Sequence, residues 1–383
     1  MSATPSSRGP RAFGPGLSGL REWRRETAEA LAALRRWALV NHLTDDATAT
    51  RLAHLERRLG SDRISIAFVA EVSRGKSELI NALFFSDLGP RLLPAGAGLT
   101  TMCPAEIFHD PSRPPSIRLL AIETREEPRA LREHIADSAS WQEVPLDPAR
   151  PETLAAAFEV LSESREVSAG EARILGLPPR GGERVRTPRW RFALGNLPHP
   201  LLTLGLVILD TPGPDALGTE PELTLHRLPE ADAIVFVLSV EAGATRSDLE
   251  LWRQHVEPLQ ATAGARFVVL NKIDGLRDGL KPDAQVFGEI DKQVRATAEA
   301  LRVPPTQVFA LSARQGLVAR IQGDGDAFAK SRLYRLEQAL AGSARTAPAA
   351  ITPEVQRLAA RLQAHRPGLP ALRAMAEEGA RPT

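Results

Sequence analysis

Short apolar runs alternate with amphipathic stretches along most of the chain. Five runs rich in apolar and β-branched residues predict buried strands, at residues 63–70, 204–210, 233–239, 266–271 and 308–312. Between these runs, helical periodicity occurs around residues 219–229, 246–258 and 282–302. Buried strands that alternate with helices are typical of a mostly parallel sheet with helices on both faces. The pattern therefore predicts an α/β fold.

Helical segments flank this core and indicate how the chain is divided. Apolar residues recur at helical spacing from Leu20 to Leu59, and again within residues 328–340 and 351–365. We expect a disordered tail at residues 1–16, a helical segment at 17–60, a main α/β domain at 61–322 and a C-terminal helical segment at 323–383. Proline-rich connectors between helical stretches predict an insertion in the main domain at about residues 111–200.

Composition limits the classes of protein to consider. The chain has 383 residues, of which 43% are hydrophobic and 25% are charged, and its formal net charge is +1. Such a chain can bury a core, so disorder throughout is excluded, and its charge gives no reason to expect nucleic acid as a partner. Cys103 is the single cysteine, and no apolar run is long enough to span a bilayer. We therefore expect a cytoplasmic protein.

The stretch AEVSRGKS at residues 70–77 follows the first predicted strand and precedes a predicted helix. Its spacing is that of a phosphate-binding loop, GxxxxGK[ST], except that Ala70 replaces the first glycine. In such a loop backbone N–H groups surround the β-phosphate, Lys76 bridges the β- and γ-phosphates, and the Ser77 hydroxyl ligates Mg²⁺. The residues expected to contact nucleotide are Val72, Ser73, Arg74, Gly75, Lys76, Ser77 and Glu78. The alternative interpretation is a solvated turn that matches the spacing by chance.

A second motif, LGLVILDTPG at residues 204–213, places Asp210 at the carboxyl end of a buried strand. From that position Asp210 can hold Mg²⁺ through a water molecule. The Gly213 N–H can meet the γ-phosphate when that phosphate is present. An ordinary junction between a strand and a turn is the alternative interpretation.

A third motif, RFVVLNKID at residues 266–274, ends a strand with an NKxD pattern. Asp274 can accept hydrogen bonds from both the ring and the exocyclic N–H groups of guanine, an arrangement that adenine does not offer. Asn271 is expected to tie this loop to the phosphate-binding loop, and the Lys272 stem to lie along the base. The alternative is a polar entry into a helix. Only five lysines occur in the chain, and two of them stand at motif positions.

Two further stretches extend the set. The last predicted strand leads into Ser312 and Ala313, and we expect the Ala313 N–H to meet guanine O6. The glycine-rich stretch at residues 92–107 carries Thr101, whose hydroxyl can join the Mg²⁺ shell and whose carbonyl can orient the attacking water. A plain flexible loop is the alternative interpretation. We interpret the nearby Cys103 as a small packed side chain rather than a redox sensor.

Together these motifs resemble a GTPase of the dynamin superfamily, and in particular the bacterial dynamin-like proteins. VSRGKS is similar to the family's SxGKS pattern, and LPAGAGLTTMCP is similar to its LPxGxGxxTxxP switch. DTPG and NKID complete the set, which covers roughly residues 60–316. The resemblance implies a P-loop NTPase fold with a Ras-like G domain. It also implies hydrolysis of GTP to GDP and phosphate, stimulated when two G domains form a homodimer across the nucleotide.

The resemblance also implies roles for individual residues. In the family a monovalent cation, K⁺ or Na⁺, is held by the serine that matches Ser73 and by carbonyls of the glycines that match Gly96 and Gly98. Catalytic roles are implied for Ser73, Lys76, Thr101 and Gly213, and Mg²⁺ ligation for Ser77, Thr101 and Asp210. A peripheral contact with a membrane, linked to membrane remodelling, is a further implication.

Several features depart from the family pattern. The methyl group of Ala70 costs little if φ is negative at that position and about 1 kcal/mol if φ is positive. Val72 stands where many members carry a polar residue. Arg74 is either an arginine finger acting in cis or, as we expect, an exposed and non-catalytic side chain. The chain ends soon after the matched region, so a truncated chain and a G domain with a minimal helical neck remain open.

Two other functions are consistent with the same motifs. One is a GTPase linked to ribosome assembly or translation, in which the arginine-rich insertion would contact RNA. Acidic residues in that insertion, as in TREEPRALREH, argue against this alternative. The other is a scaffold that binds nucleotide without hydrolysing it.

Overall fold

The computed structural model describes residues 13–41, 52, 59, 63–89, 91–95, 103–177, 184–211, 228–229, 231–261, 265–277 and 281–342. The chain divides into two compact units. The larger unit contains Ser65–Ala339, and the smaller unit combines Ala12–Ile64 with Leu340–Thr383. All the predicted motifs fall in the larger unit.

Strands account for the centre of the larger unit. They are β1 (Ile64–Ala70), β2 (Ala105–Phe108), β3 (Ser116–Ala121), β4 (Trp141–Pro145), β5 (Ser164–Ser168), β6 (Arg184–Pro188), β7 (Trp190–Asn196), β8 (Leu206–Asp210), β9 (Ala233–Ser239), β10 (Ala265–Asn271) and β11 (Val308–Ala310). Within the described ranges, nine of them form one sheet in the order β11-β10-β9-β1-β8-β2-β7-β3-β4, and β5 pairs separately with β6. The five strands predicted from apolar runs are β1, β8, β9, β10 and β11.

The direction of pairing changes across the sheet. β1 runs parallel to β9, β9 to β10, and β10 to β11. On the other side β2 is antiparallel to β8 and parallel to β7, while β3 is antiparallel to both β7 and β4. The α/β prediction is confirmed, but the sheet is mixed and larger than the sequence pattern indicated. The predicted insertion supplies β3, β4 and β7, which the apolar runs did not reveal.

Helices lie along the chain between these strands. The α-helices are Phe13–Val40, Lys76–Phe84, Leu131–Ala136, Pro151–Phe158, Ala169–Ile174, Pro200–Thr203, Arg246–Leu251, Asp283–Leu301, Ala313–Gln322 and Gly325–Ser331. Residues 333–342 are also helical. Asp283–Leu301 matches the helix predicted at 282–302, whereas Arg246–Leu251 continues into a π-helical turn, Trp252–Val256. The helices predicted at 219–229 and 351–365 lie outside the described residues.

Apolar side chains of the parallel strands form the main core. Every residue of β9 is buried, and the Trp252 ring packs on Phe236 with the ring centroids 5.2 Å apart. In the predicted insertion, Phe158 is 1% exposed and packs beneath β7. A Cβ added at Gly195 of β7 would lie 3.3 Å from Phe158 Cζ, so the strand and the ring are in close contact. Both halves of the sheet therefore have closely packed interiors.

The C-terminal helices of the larger unit pack against the helix Lys76–Phe84 and against each other. Arg320 donates to the Ala82 carbonyl and pairs with Glu337, and both charged side chains are buried. Burial raises the pKa of Glu337. A Cβ added at Gly316 would lie 2.9 Å from Leu333 Cδ2, so the backbone of the helix Ala313–Gln322 and the Leu333 side chain are in close contact. The Ser312 N–H also donates to the Ser331 carbonyl at 2.9 Å.

The smaller unit is organised by the long helix Phe13–Val40. Its inner face buries Leu31, Leu34 and Ala38 together with Leu52 and Leu59. This spacing of three and four residues is the one expected for the buried stripe of an amphipathic helix. Among the residues that the structure describes, no helix combines the length and apolar character needed to cross a membrane.

Candidate nucleotide-binding site

The predicted motifs converge at the carboxyl ends of three strands of the main sheet. β1 ends at Ala70, β8 at Asp210 and β10 at Asn271. The Thr211 hydroxyl donates to the Phe68 carbonyl at 2.8 Å, which fixes the end of β8 beside β1. The carboxyl edge of a largely parallel sheet is the usual place for a ligand in α/β proteins.

Ala70, the departure from the glycine pattern, is the last residue of β1 and is 1% exposed. It is not among the described non-glycine residues with positive φ. The methyl group therefore causes no backbone strain, and it packs in the core where a glycine would leave a gap. The first position of residues 70–77, hereafter the phosphate loop, does not require glycine in this chain.

The turn of the phosphate loop contains two left-handed residues. Ser73 has φ 64° and Gly75 has φ 87°. A Cβ added at Gly75 would lie 2.4 Å from Asn271 Nδ2, so both the conformation and the space exclude a side chain there. A non-glycine residue in this region costs about 1 kcal/mol or more, so Ser73 is held by its surroundings. Left-handed residues in a turn aim successive N–H groups into a concavity that suits an anion.

Lys76 and Asp210 form a buried ion pair at the centre of the site. Lys76 Nζ contacts Asp210 Oδ1, and Asp210 is fully buried. Asp210 Oδ2 is also buried and has no hydrogen-bond partner among the described residues. A buried carboxylate oxygen without a partner costs free energy unless a donor or a cation reaches it. A ligand that reached this oxygen would relieve that cost.

Side-chain oxygens of Asp210 and Ser77 are suitable ligands for Mg²⁺. Mg²⁺ prefers hard oxygen ligands and binds proteins through one or two side chains together with waters and phosphate oxygens. Asp210 offers a carboxylate oxygen, and Ser77, the second residue of the helix Lys76–Phe84, offers a hydroxyl. The donor set suits this ion.

Asn271 joins three motifs that lie far apart in sequence. Its Nδ2 donates to the Arg74 carbonyl at 3.0 Å, and its Oδ1 accepts from the Ala313 N–H at 3.0 Å. The side chain is 2% exposed, so these bonds are shielded from water. One amide thus holds the phosphate loop and the loop after β11 in a fixed relation to the end of β10.

Asp274 lies in the short 3-10 helix Ile273–Leu276 that comes after Asn271. Its Oδ1 is buried and has no partner within the described residues, while backbone contacts hold the turn around it. Lys272 has φ 66°, and its Nζ lies 3.5 Å from Glu241 Oε2. The unpartnered carboxylate oxygen can accept a hydrogen bond from a ligand N–H group.

Some predicted contacts differ from the structure. The Ala313 N–H donates to Asn271 Oδ1, so it is not directed at guanine O6 as expected. The reason is local, because Ser312 caps the helix Ala313–Gln322 and places Ala313 in its first turn. The Glu78 carboxylate accepts from Arg91 at 2.7 and 2.8 Å, so both of its oxygens have a partner within the protein. Val72 is 38% exposed and lies at the surface of the loop.

Arg74 is not exposed, contrary to the prediction. Its guanidinium pairs with Asp248 and its side chain is 14% exposed, while that of Asp248 is fully buried. Sequence reasoning missed Asp248 and Thr245. The available signal was TRSD at 245–248, which has the spacing of a helix capping box.

Four other predicted residues, Gly96, Gly98, Thr101 and Gly213, lie outside the described residues. Cys103, which comes after the undescribed part of its loop, is buried, and burial together with the negative charge of Asp210 raises the pKa of its thiol. A thiol held in its neutral form is unreactive, in keeping with a packed side chain.

The fold and the site define an α/β nucleotide-binding domain of the P-loop class. The sequence profile of the Dynamin family matches residues 66–273, which is more than half of the chain. The chain belongs to the dynamin family. The predicted resemblance is thereby confirmed.

Solved structures that are similar to this chain include bacterial dynamins. One belongs to an oligomerised bacterial dynamin pair described as sensing and tethering membranes, with a TM-score of 0.47 and 14% identity over 91% of this chain and 47% of that chain. Another is LeoA, a bacterial dynamin GTPase from ETEC, with a TM-score of 0.45 and 12% identity over 97% of this chain and 49% of that chain.

Era from Aquifex aeolicus, bound to GDP and aluminium fluoride, has a TM-score of 0.31 and 17% identity over 73% of this chain and 56% of that chain. The chain spans about half the length of the solved structures that it matches. No curated protein sequence matches it.

Proposed function

We propose that the protein binds GTP together with Mg²⁺ and hydrolyses it to GDP and phosphate. The observation that carries this proposal is the bridge made by Asn271. Its hydrogen bonds to Arg74 and Ala313 bring the phosphate loop and the loops after β10 and β11 to one place. A triphosphate at the phosphate loop would then have its base beside Asp274. Membership of the dynamin family supports the same chemistry.

Guanine is the base that this arrangement favours. The buried Oδ1 of Asp274 lacks a donor among the described residues, and guanine presents two adjacent N–H groups to such a carboxylate. Adenine would leave the oxygen unpaired, and a buried unpaired acceptor costs about 1–3 kcal/mol. ATP would therefore bind more weakly than GTP, because it leaves this buried carboxylate oxygen without a donor.

On the phosphate side, Lys76 has to exchange one partner for another. Its ammonium contacts Asp210, and it would leave that carboxylate for the β- and γ-phosphate oxygens when nucleotide enters. Asp210 and Ser77 are then the residues that would hold Mg²⁺, which supplies positive charge to the phosphates. With their left-handed backbone, Ser73 and Gly75 would then direct backbone N–H groups of the phosphate loop at the β-phosphate.

The remaining catalytic assignments stay proposals that rest on family membership. Thr101 and Gly213 would position the attacking water and the γ-phosphate, and Ser73 with Gly96 and Gly98 would hold K⁺ or Na⁺. We also propose that hydrolysis is stimulated when two G domains form a homodimer, and that the protein acts in the cytoplasm with peripheral contact to a membrane. The tethering activity described for one bacterial dynamin pair belongs to that pair.

Binding and turnover measured with purified protein test the proposal. We expect GTP to bind in the presence of Mg²⁺ with an affinity well above that for ATP, and turnover per molecule to rise with protein concentration. Turnover in K⁺ should exceed turnover in a cation that cannot replace it, such as choline. Equal affinity for ATP, or no affinity for GTP, would refute guanine recognition. Binding without turnover under any of these conditions would indicate a scaffold.

A further inference from the structure

We propose that Asp248 is a positioning residue for the phosphate loop, which it keeps in its binding conformation through Arg74. The inference rests on the proposed function, since it concerns how the same loop is made ready for phosphate. It assigns to Arg74 a role that differs from both sequence-based interpretations, namely an arginine finger and an exposed, non-catalytic side chain.

The contact between the two side chains is bidentate. Arg74 Nε donates to Asp248 Oδ1 at 3.2 Å, and Arg74 Nη2 donates to Oδ2 at 2.8 Å. Arg74 Nη2 also donates to the Thr245 hydroxyl at 3.2 Å. Two parallel bonds from a guanidinium to a carboxylate fix orientation as well as distance. The Arg74 side chain is thereby docked on the start of the helix Arg246–Leu251.

Asp248 is held in place independently of the phosphate loop. It belongs to a capping box in which the Thr245 N–H donates to Asp248 Oδ2 at 3.0 Å and the Asp248 N–H donates to the Thr245 hydroxyl at 3.3 Å. Asp248 is fully buried, so its position is fixed by packing as well. The carboxylate is therefore a rigid anchor that does not need Arg74 to keep its place.

Arg74 is the residue at which such an anchor has the greatest effect. It lies between the two left-handed residues, Ser73 and Gly75, and its carbonyl accepts from Asn271 Nδ2 at 3.0 Å. Its side chain and its backbone are thus both held, one by Asp248 and the other by Asn271. A turn that is clamped at its centre cannot relax the strain at Ser73 by changing its dihedral angles. The N–H groups of the loop stay directed at the phosphate position, which lowers the entropy lost on binding.

An anchor and an arginine finger make opposite predictions. A finger acts on charge that develops during hydrolysis, so its loss lowers kcat and leaves GDP affinity unchanged. An anchor of the loop contributes equally to GDP and GTP binding, and kcat at saturating GTP depends on it little. Release of Arg74 from Asp248 would raise turnover if Arg74 were a finger, and would weaken binding if Asp248 positions the loop.

Asp248→Asn is the principal variant, because asparagine keeps an oxygen for the capping box and removes the charge. We expect its affinities for GDP and GTP, measured by calorimetry, to fall together by about tenfold or more, since a charge-assisted contact is lost. We expect kcat at saturating GTP to stay within about twofold of the wild type. Arg74→Gln should reproduce this pattern, and the double variant should bind no more weakly than either single variant, because both changes remove the same contact.

Arg246→Ala and Glu250→Gln are matched controls on the same helix. These side chains form an exposed ion pair at 2.9 Å, and we expect both variants to bind nucleotide like the wild type. Circular dichroism measures the folded fraction of each variant, and every affinity is calculated for the folded protein alone. If Asp248→Asn is poorly folded, Arg74→Gln carries the test, since its side chain lies nearer the surface.

Unchanged GDP and GTP affinity in folded Asp248→Asn and Arg74→Gln would overturn the inference. A loss of kcat in Arg74→Gln without a loss of affinity would also overturn it, because that result would make Arg74 a finger. Additive losses of affinity in the double variant would overturn it as well. A wild-type protein that binds no GTP would instead refute the proposed function, so the two failures are distinguishable.

Discussion

The two halves of the sheet differ in the direction of their strands and in the loops to which those strands lead. From β11 to β1 neighbouring strands are parallel, and three of them lead into loops that carry predicted site residues. From β2 to β4 antiparallel pairs predominate, and residues 111–200 contain no predicted site residue. Parallel strands bring their carboxyl ends to one edge, whereas antiparallel strands distribute theirs over two edges. Apart from Asp210 at the end of β8, the described site residues therefore gather in the parallel half, and the half from β2 to β4 contributes packing.

Phe158→Ala should give the largest effect and tests the antiparallel half. The ring is buried beneath β7, so its removal leaves a cavity, and we expect the free energy of unfolding to fall by about 3–5 kcal/mol. Denaturant titration measures this change. GTP affinity of the folded fraction should match the wild type. If GTP affinity of the folded fraction fell by a comparable free energy, packing in the antiparallel half would contribute to nucleotide binding in the parallel half.

Lys76→Ala tests the parallel half. We expect GTP affinity to fall by at least about 100-fold, because contacts to two phosphates of about 1.5 kcal/mol each are lost. Fluorescent nucleotide titration measures the change. Lys292→Ala, an exposed lysine on the helix Asp283–Leu301, is the control and should bind normally. If Lys76→Ala kept the GTP affinity of the wild type, the phosphate loop would not be part of the nucleotide-binding site.

Asp274→Asn sharpens the assignment within the parallel half. An amide offers an N–H where guanine needs an acceptor, so GTP affinity should fall by about tenfold or more. Xanthosine triphosphate carries a carbonyl at the equivalent position and should bind the variant better than the wild type. Competition between the two nucleotides measures the preference. An unaltered preference for GTP would place base recognition elsewhere.

His255→Gln should give the smallest effect, in the pH dependence of stability. His255 Nδ1 is buried without a partner among the described residues, and burial lowers the pKa of this imidazole below its ordinary value of 6.5. The unfolded chain then binds the proton more readily than the folded one, so stability is full above pH 6.5 and declines as pH falls through that value. Denaturant titrations from neutral to mildly acidic pH should show a weaker decline in the variant. An identical decline would exclude His255 as its source.

The parallel strands were predictable because they are continuous apolar runs. β9, AIVFVLS, is buried at every position, and that pattern has no polar interruption. β4, WQEVP, is only partly buried and lies at the edge of the sheet, so no apolar run marks it. β2 has four residues, too few for a period to be recognised. The sequence pattern of the insertion consequently predicts connectors and helices rather than strands.

Most of the site was predictable for a different reason, since each motif is local. The spacing of Gly75, Lys76 and Ser77 needs no knowledge of distant contacts. The pairing of Arg74 with Asp248 joins residues 174 positions apart, and one sequence carries no signal for such a pair. The same limit applies to the Ala313 N–H, whose acceptor, Asn271, is 42 positions away.

The hydrogen bonds of Asn271 also determine when the nucleotide-binding site can be completed during synthesis. Its hydrogen bonds reach back 197 residues to Arg74 and forward 42 residues to Ala313. A chain emerges from the ribosome beginning at its N-terminus, so the phosphate loop is made long before the residues that clamp it. Until Ala313 has emerged, Asn271 Oδ1 lacks the N–H group from which it accepts a hydrogen bond. Nucleotide can therefore stabilise only a chain that has been translated beyond Ala313, and earlier intermediates must rely on packing alone.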